Sequence, residues 1–246
     1  MINFQNTLIR CSSLGAILTE PLSASDKAAG MLSKTAKTCL IKTYISEVYG
    51  RDKEITSKQM EKGTIGEEGG IRSLSRFTGK NLTKNLIQFE NDWIKGTPDI
   101  VEEDYVWDTK LSFDIWTFLA NVTEPLDKGY LAQLQGYMWL TGIKSGSVTY
   151  LLEDCPQHII DSEKFYLLKK MNVISEESPE YIEAAAGIEI NLIYPDIPPE
   201  SKILMFKVDS DDEMIDKMKQ KITKCREFLQ EFSEKHKNFN NGNRRI

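Results

Sequence analysis

Two carboxylates and a lysine lie close together in the segment GTPDIVEEDYVWDTK, in which Asp99 follows Pro98 and Asp108 precedes Lys110 by two residues. Residues i and i+2 of a β-strand project from one face, so Asp108 and Lys110 should lie side by side with Thr109 turned away. A hairpin would bring Asp99 to the same end. Converging carboxylates suit Mg²⁺ or Mn²⁺, which take oxygen ligands and keep waters that a phosphate can replace. The lysine would place positive charge beside a water that must lose a proton.

Each of these residues also has an ordinary structural explanation. An Asp before a turn commonly stabilises the turn, and Asp-x-Lys on a strand is commonly a solvated ion pair of little energetic value. The proposed chemistry therefore depends on further residues that reach the same strand.

Two other segments could supply such residues. KGTIGEEGGIR places Glu67 and Glu68 in a glycine-rich helix, where an acid could reach the hairpin as a third carboxylate; an exposed glutamate pair is the alternative. YLAQLQGYMW places Gln133 and Tyr137 four residues apart, on one face of an otherwise apolar helix. Buried amides and phenols need hydrogen-bond partners, which could belong to a catalytic site or to a strand backbone in the core.

The elements that must position these residues alternate between helix and strand, which predicts an α/β or α+β fold. Strands are predicted at NLIQFEND, on both sides of an acidic turn at 102–104, at GSVTYLLE and at ILMFKV. Apolar spacing predicts helices over 26–49, with Ser25 as N-cap, and over about 57–77, 127–140, 159–172, 180–193 and the amphipathic stretch that ends near 237. Glycines in the second helix oppose helix formation and need another explanation.

Composition limits the classes of protein. The 246 residues carry a net charge of -6, which argues against unspecific coating of nucleic acid but leaves room for a local basic groove. Four separated cysteines and two histidines argue against a zinc or iron–sulfur site, so any metal should be held by oxygen. No apolar run of membrane-spanning length and no export signal occur, so we expect a cytoplasmic protein that does not contact membranes.

Four motifs in order along the chain resemble the PD-(D/E)xK nuclease superfamily. They are G-T-x-x-E at 63–67, G-x-P-D at 96–99, D-x-K at 108–110 and Q-L-x-x-Y at 133–137. Within the superfamily the sequence is most similar to the bacteriophage lambda-type alkaline exonucleases and the RecB-like nuclease domains, over about residues 8–155. The resemblance implies a restriction-endonuclease-like core, in which a mixed central sheet is flanked by helices, with added N- and C-terminal helices.

The resemblance also implies a role for each residue of the D-x-K segment. Asp99 and Asp108 would ligate Mg²⁺ or Mn²⁺ together with the backbone carbonyl of Thr109, and Lys110 would orient or activate the water. The phage enzymes more often have Glu where this chain has Asp108, a departure that the superfamily tolerates.

The other motifs would complete the catalytic set. By resemblance, Glu67 would hold a metal or relay a proton, while Gln133 and Tyr137 would position the D-x-K lysine and the scissile phosphate.

The N-terminal segment IRCSSLGAILTEP resembles the helix start at which such exonucleases hold a terminal 5′-phosphate. Arg10 with Ser12 or Ser13, and Thr97 next to the active site, would form that pocket, because helix N-termini and hydroxyls suit phosphate. The alternative for Ser12 or Ser13 is a helix N-cap.

These resemblances predict a metal-dependent deoxyribonuclease, a phage-type 5′–3′ exonuclease acting on duplex ends in recombination or repair. An endonuclease of the same core, restriction-type or branch-resolving, and a non-catalytic DNA-binding or assembly protein are the alternatives. Expected partners are DNA, a single-strand annealing protein and further copies of the chain, in the cytoplasm of the host cell if the protein is phage-encoded. The predicted organisation is one nuclease domain over 1–246, with its core at 57–155, a helical part at 1–56, a strand and long helix at 200–237, and a loose tail at 238–246.

Overall fold

The computed structural model describes residues 3–52, 57–172 and 175–240, the side chains of 238–240 excepted. The helices are α1 (Leu14–Ile17), α2 (Ala24–Ala28), α3 (Lys34–Tyr49), α4 (Lys58–Thr78), α5 (Ile115–Thr123), α6 (Lys128–Thr141), α7 (Gln157–Met171), α8 (Pro179–Leu192) and α9 (Asp212–Asn240). The strands are β1 (Ile9–Arg10), β2 (Phe89–Glu90), β3 (Ile94–Gly96), β4 (Ile100–Val101), β5 (Tyr105–Leu111), β6 (Ser145–Leu151) and β7 (Ile203–Asp209). Within these ranges no helix has the length and apolar character needed to cross a membrane.

The main sheet has the strand order β4-β5-β6-β7. Strands β5 and β6 run parallel, from Tyr105 opposite Ser145 to Leu111 opposite Leu151. The outer strands β4 and β7 pair antiparallel to them. The predicted mixed sheet is therefore confirmed, and the strand that carries the D-x-K motif is central, with neighbours on both sides.

Helices cover both faces of this sheet. Val106 packs in one apolar cluster with Leu134 of α6, whereas the next residue, Trp107, packs in another with Ile71 and Leu74 of α4. Because side chains alternate along a strand, Asp108 and Lys110 share the face of Val106, which α6 covers. The prediction of an α/β fold with helices around a mixed sheet is confirmed.

Close helix–strand packing explains the glycines of α4. A Cβ at Gly66 would lie 2.5 Å from Leu111 Cδ2, and one at Gly70 would lie 2.7 Å from Leu151 Cδ1. These glycines therefore let the α4 backbone lie directly on leucines of β5 and β6, at a cost in helix propensity of up to about 1 kcal/mol each.

A smaller sheet, β1-β3-β2, leads into the site from the other side. Strands β1 and β3 run parallel, with Ile9 opposite Ile94 and Arg10 opposite Lys95. Only Phe89–Glu90 of the predicted NLIQFEND strand is extended as β2.

The predicted elements differ from the observed ones in three further places. The helix predicted over 26–49 is divided, because Gly30 adopts a φ of +63° and Ser33, rather than Ser25, caps α3 by accepting from the Ala36 N–H. Helix α5 was not predicted. Helix α9 continues to Asn240, so residues 238–240 are not a loose tail, and the rest of that tail lies outside the described residues.

Candidate active site

Asp108 is the centre of the site and is 1% exposed. Its Oδ1 accepts from Lys110 Nζ at 2.9 Å and from Gln133 Nε2 at 3.4 Å. Its Oδ2 is buried and has no hydrogen-bond partner among the described residues. An unpartnered buried carboxylate oxygen is costly, and a bound water or cation would satisfy it.

Asp99 is fixed to the same strand from the turn between β3 and β4. Its Oδ2 accepts from the Thr109 N–H at 2.6 Å and from Thr109 Oγ1 at 2.8 Å. The hairpin therefore brings Asp99 to the D-x-K segment, as the sequence predicts. The side chain of Thr109 is turned away from Asp108 and orients the carboxylate of Asp99.

Burial disfavours the charged form of both carboxylates. It raises the pKa of Asp108 from 3.8 to about 7, although the charge of Lys110 opposes this and that of Asp99 adds to it. Burial also raises the pKa of Asp99, against the hydrogen bonds from Thr109 and the charge of Lys110. The positive charge near Asp99 and Asp108 is therefore too small to keep both carboxylates ionised. A divalent cation would supply the additional positive charge.

Gln133 and Tyr137 lie on α6 directly above the D-x-K strand. Gln133 Nε2 donates to the Tyr137 hydroxyl at 2.8 Å as well as contacting Asp108. Burial, with the nearby Asp108 charge, raises the pKa of Tyr137, so its phenol stays protonated. Lys110 Nζ also lies 4.6 Å from the centroid of the Tyr130 ring, which restricts the ammonium group from a second side.

Glu67 is placed on α4 but is engaged elsewhere. Its Oε2 lies 2.6 Å from Nζ of Lys84, in the loop after α4. Among the described residues no three His, Cys, Asp or Glu side chains converge closely enough to hold a metal ion. The oxygen donors already in place are thus the carboxylates of Asp99 and Asp108, with the Thr109 carbonyl on the same segment.

A cavity of about 840 Å³ lies beside these residues, with Tyr137 in its wall. Arg10, Ser12, Ser13 and Thr97, predicted to hold a terminal phosphate, all line it. The structure thus brings together residues that are nearly ninety positions apart in the sequence.

Further cationic residues line the same cavity; sequence reasoning placed Lys42 and Arg51 in a basic run around the site but missed Lys95. Lys42 and Arg51, from α3 and the residues after it, and Lys95 of β3 add positive charge, against the acids Glu47 and Asp52. None of the ion pairs found among the described residues involves Arg10, Lys42 or Lys95. Lys95 gave no signal because it precedes the G-x-P-D motif by one residue and reaches the cavity on β3.

Capping does not account for the serines. Ser13 lies at the N-cap position of α1, yet its side chain makes no capping hydrogen bond, and α1 is a single turn. Ser12 belongs to the preceding 3-10 turn and is exposed to the cavity. Both hydroxyls are therefore available to a ligand.

Gly96, the glycine of the G-x-P-D motif, joins the cavity to the carboxylates. A Cβ at Gly96 would lie 2.8 Å from both Cys11 Sγ and Tyr137 Cε1. Any larger residue would push apart the strand that leads to Asp99 and the helix that carries Tyr137.

Helix α9 contacts the starts of β1 and β3, the strands that carry Arg10 and Lys95. Arg226 Nε donates to the Thr7 carbonyl at 3.1 Å, and its guanidinium also donates to the Asp92 carbonyl and lies 5.0 Å from the centroid of the Trp93 ring. Thr7 and Asp92 come just before β1 and β3, so one side chain aligns the strands that carry Arg10 and Lys95.

A buried carboxylate pair with an adjacent lysine thus lies near a cationic cavity on a mixed sheet, which is the arrangement expected from the nuclease motifs. Comparison with solved structures gives the same class. A phage-related exonuclease from Haemophilus somnus 129PT has a TM-score of 0.73 and 27% identity, over 95% of this chain and 98% of its own. The chain therefore has the fold of the phage-type exonucleases, and the resemblance inferred from the motifs is confirmed.

Two structures of lower identity share this fold. The alkaline exonuclease LHK-Exo from Laribacter hongkongensis has a TM-score of 0.63 and 13% identity, over 97% of this chain and 95% of its own. LHK-Exo in complex with dAMP gives 0.62 at the same identity and coverage. No protein-family profile matches the sequence, and no curated protein matches it.

Proposed function

We propose that the protein is a divalent-metal-dependent deoxyribonuclease, an exonuclease that degrades DNA from duplex ends in the 5′–3′ direction. The fold of the phage-type exonucleases supports the reaction class. The observation that carries the proposal is the buried Asp108, whose Oδ2 has no partner in the described part of the chain while its Oδ1 is bound by Lys110. Such a carboxylate suits a metal ion next to a charged general acid–base group.

The residues present fit Mg²⁺ or Mn²⁺. Asp99, Asp108 and the Thr109 carbonyl offer only oxygen donors, which hard divalent cations prefer, and the described residues hold no cluster that would select a softer metal. Glu67 would join them if it left Lys84. When bound, the ion would lower the pKa of a water and neutralise charge on the phosphate.

The chain's own residues would orient the reaction. Lys110, fixed by Asp108 and the Tyr130 ring, would hold the attacking water and stabilise it as it loses its proton. Gln133 keeps the Asp108 carboxylate and the Tyr137 phenol in a fixed relation, which leaves the phenol proton free to bind a phosphate oxygen.

The cavity supports action at a DNA end. Arg10, Lys95, Ser12 and Thr97 would bind a terminal 5′-phosphate, since cations and hydroxyls are its usual partners. A phosphate held there would place a nearby phosphodiester bond at the carboxylates. An end-binding cavity favours an exonuclease over an endonuclease of the same fold.

A single digestion series tests this proposal. Linear duplex with and without a 5′-phosphate, and covalently closed circular DNA, are incubated in Mg²⁺ and in EDTA. We expect degradation of the linear DNA in Mg²⁺ only, faster with the phosphate, and an intact circle. Cleavage of the circle would instead identify an endonuclease, and no cleavage of any DNA would leave a binding protein.

Two substitutions connect this activity to the site. Asp108→Ala and Lys110→Ala should each abolish cleavage while the circular dichroism spectrum stays unchanged. Wild-type turnover by either variant would refute the assignment of these residues.

The proposal extends to the domain organisation, the location and the partners of the protein. We propose that the whole chain forms one nuclease domain in the cytoplasm, and that it works with a single-strand annealing protein and with copies of itself. Size-exclusion chromatography with and without DNA tests the self-association.

A further inference from the structure

Lys84 lies beside the acidic residues without belonging to any of the four motifs. Its Nζ is 2.6 Å from Glu67 Oε2, and neither side chain is fully exposed, at 39% and 22%. The hydrogen bond to Glu67 is the main cause that raises the pKa of Lys84, and the charges of Glu67, Asp99 and Glu68 act in the same direction. The ammonium group therefore lies within electrostatic range of Glu67, Asp99 and Glu68, carboxylates that would also attract a metal ion.

The loop that carries Lys84 is attached to the motif that carries Asp99. The Asn85 N–H donates to the Asp99 carbonyl at 2.7 Å, and Asn85 Nδ2 donates to the Pro98 carbonyl at 2.9 Å. Asn85 Oδ1 accepts from the Ile87 N–H at 3.1 Å, which closes the local turn. Lys84 is thus positioned by its neighbour's backbone and side-chain bonds, rather than by its own flexible chain.

This ion pair has a direct consequence for metal binding. Glu67 is the third acid of the motif order, yet it is neutralised by Lys84 and does not complete a cluster of three acids with Asp99 and Asp108. One ammonium group can neutralise one carboxylate, but it also repels a divalent cation that approaches the same place.

We propose that Lys84 is a positioning residue that holds Glu67 in an ion pair and competes with the divalent cation for this carboxylate. The inference rests on the proposed function, because it concerns the metal of that site. Metal binding then requires Glu67 to exchange Lys84 for the cation, so Lys84 sets the metal concentration at which the complete site forms.

The opposite role for Lys84 predicts the opposite result. If the lysine instead held Glu67 in a geometry that helps it to bind metal, its removal would weaken metal affinity. The sign of the change in affinity therefore separates the two roles.

The experiment measures Mn²⁺ binding to the full chain by calorimetry without DNA. Lys84→Gln should bind Mn²⁺ about three- to tenfold more tightly than the wild type, because Glu67 is released from its ion pair. Lys84→Arg keeps the charge and should bind like the wild type. Lys80→Gln is the matched control, because Lys80 lies in the same loop but pairs with Glu102 at 2.8 Å, away from the site; it should change affinity less than twofold.

A double-mutant cycle tests whether the effect passes through Glu67. In the Glu67→Gln background, Lys84→Gln should no longer increase affinity by more than about twofold. Unchanged or weaker Mn²⁺ binding by Lys84→Gln, or an equal gain in both backgrounds, would overturn the inference.

Cleavage of linear duplex by the wild type is measured separately. Mn²⁺ binding with the expected pattern but no DNA cleavage would refute the proposed function and leave the role of Lys84 intact. Cleavage together with equal Mn²⁺ affinity in wild type and Lys84→Gln would do the reverse. Absence of Mn²⁺ binding in both proteins would also overturn the inference.

Discussion

Asp108→Asn should stabilise the metal-free protein at pH 8 while it abolishes cleavage. The carboxylate is buried, its pKa is raised to about 7, and at pH 8 it must carry a charge that the ammonium group of Lys110 balances only in part. A neutral amide of the same shape removes that unfavourable charge. The native carboxylate therefore lowers the stability of the metal-free protein.

The size of the effect follows from the pKa. The difference between 3.8 and about 7, at 1.36 kcal/mol per pH unit, corresponds to about 4 kcal/mol as an upper limit. Loss of the hydrogen-bonded partner of Lys110, itself mostly buried, offsets part of it, which leaves about 2 kcal/mol.

The direction in which the stability contribution of Asp108 changes with pH follows from proton linkage. A carboxyl whose pKa is raised on folding binds its proton more tightly in the native state, so its contribution is fully favourable below the unfolded value and is lost as the pH rises through the folded value. For Asp108 this window extends from about pH 4 to about pH 7. The advantage of Asp108→Asn over the wild type should grow across that window.

Urea denaturation in EDTA at pH 5 and pH 8 measures this difference for both proteins. Comparing the two proteins at each pH cancels the other titrating groups. Added Mg²⁺ should then stabilise the wild type and not the variant. An Asp108→Asn variant that is less stable than the wild type at pH 8, or an advantage that shrinks as the pH rises, would refute this reasoning.

Three other changes test the support of the site. Thr109→Val removes a hydrogen bond to Asp99 without changing volume and should weaken Mn²⁺ binding about three- to tenfold by calorimetry; unchanged affinity would show that the main-chain bond suffices. Gly96→Ala forces a methyl group against Tyr137 and should lower the free energy of unfolding by about 1–3 kcal/mol in urea, and an unchanged midpoint would contradict the packing argument. Arg226→Met releases the starts of β1 and β3 and should reduce the preference for 5′-phosphorylated over 5′-hydroxyl ends in initial rates; an intact preference would show that the strands keep their alignment without it.

The sequence predicts the centre of the site well because its geometry is local. The two-residue period of a strand places Asp108 beside Lys110, and a short hairpin brings Asp99 to the same segment. The four-residue spacing on α6 likewise explains the hydrogen bond between Gln133 and Tyr137.

The rest depends on tertiary packing that no periodicity reveals. Glu67 pairs with Lys84 because the loop after α4 returns to the site. The spacing of apolar residues does not predict the course of a loop. Helix α5 was missed because it is apolar on both sides, with Phe118 buried and Trp116 and Leu119 exposed. The division of the first long helix depends on one glycine at positive φ inside a pattern that otherwise continues.

The hydrogen bonds made by Arg226 also determine when β1 and β3 can be aligned during synthesis of the chain. The partner of Thr7 lies 219 residues later in the chain, so the segment around Thr7 is fixed only after that long stretch has been synthesised. Until α9 has emerged, Arg10 and Lys95 lack the clamp that aligns their strands. A nascent chain would therefore carry Asp99 and Asp108 well before the strands of Arg10 and Lys95 were aligned.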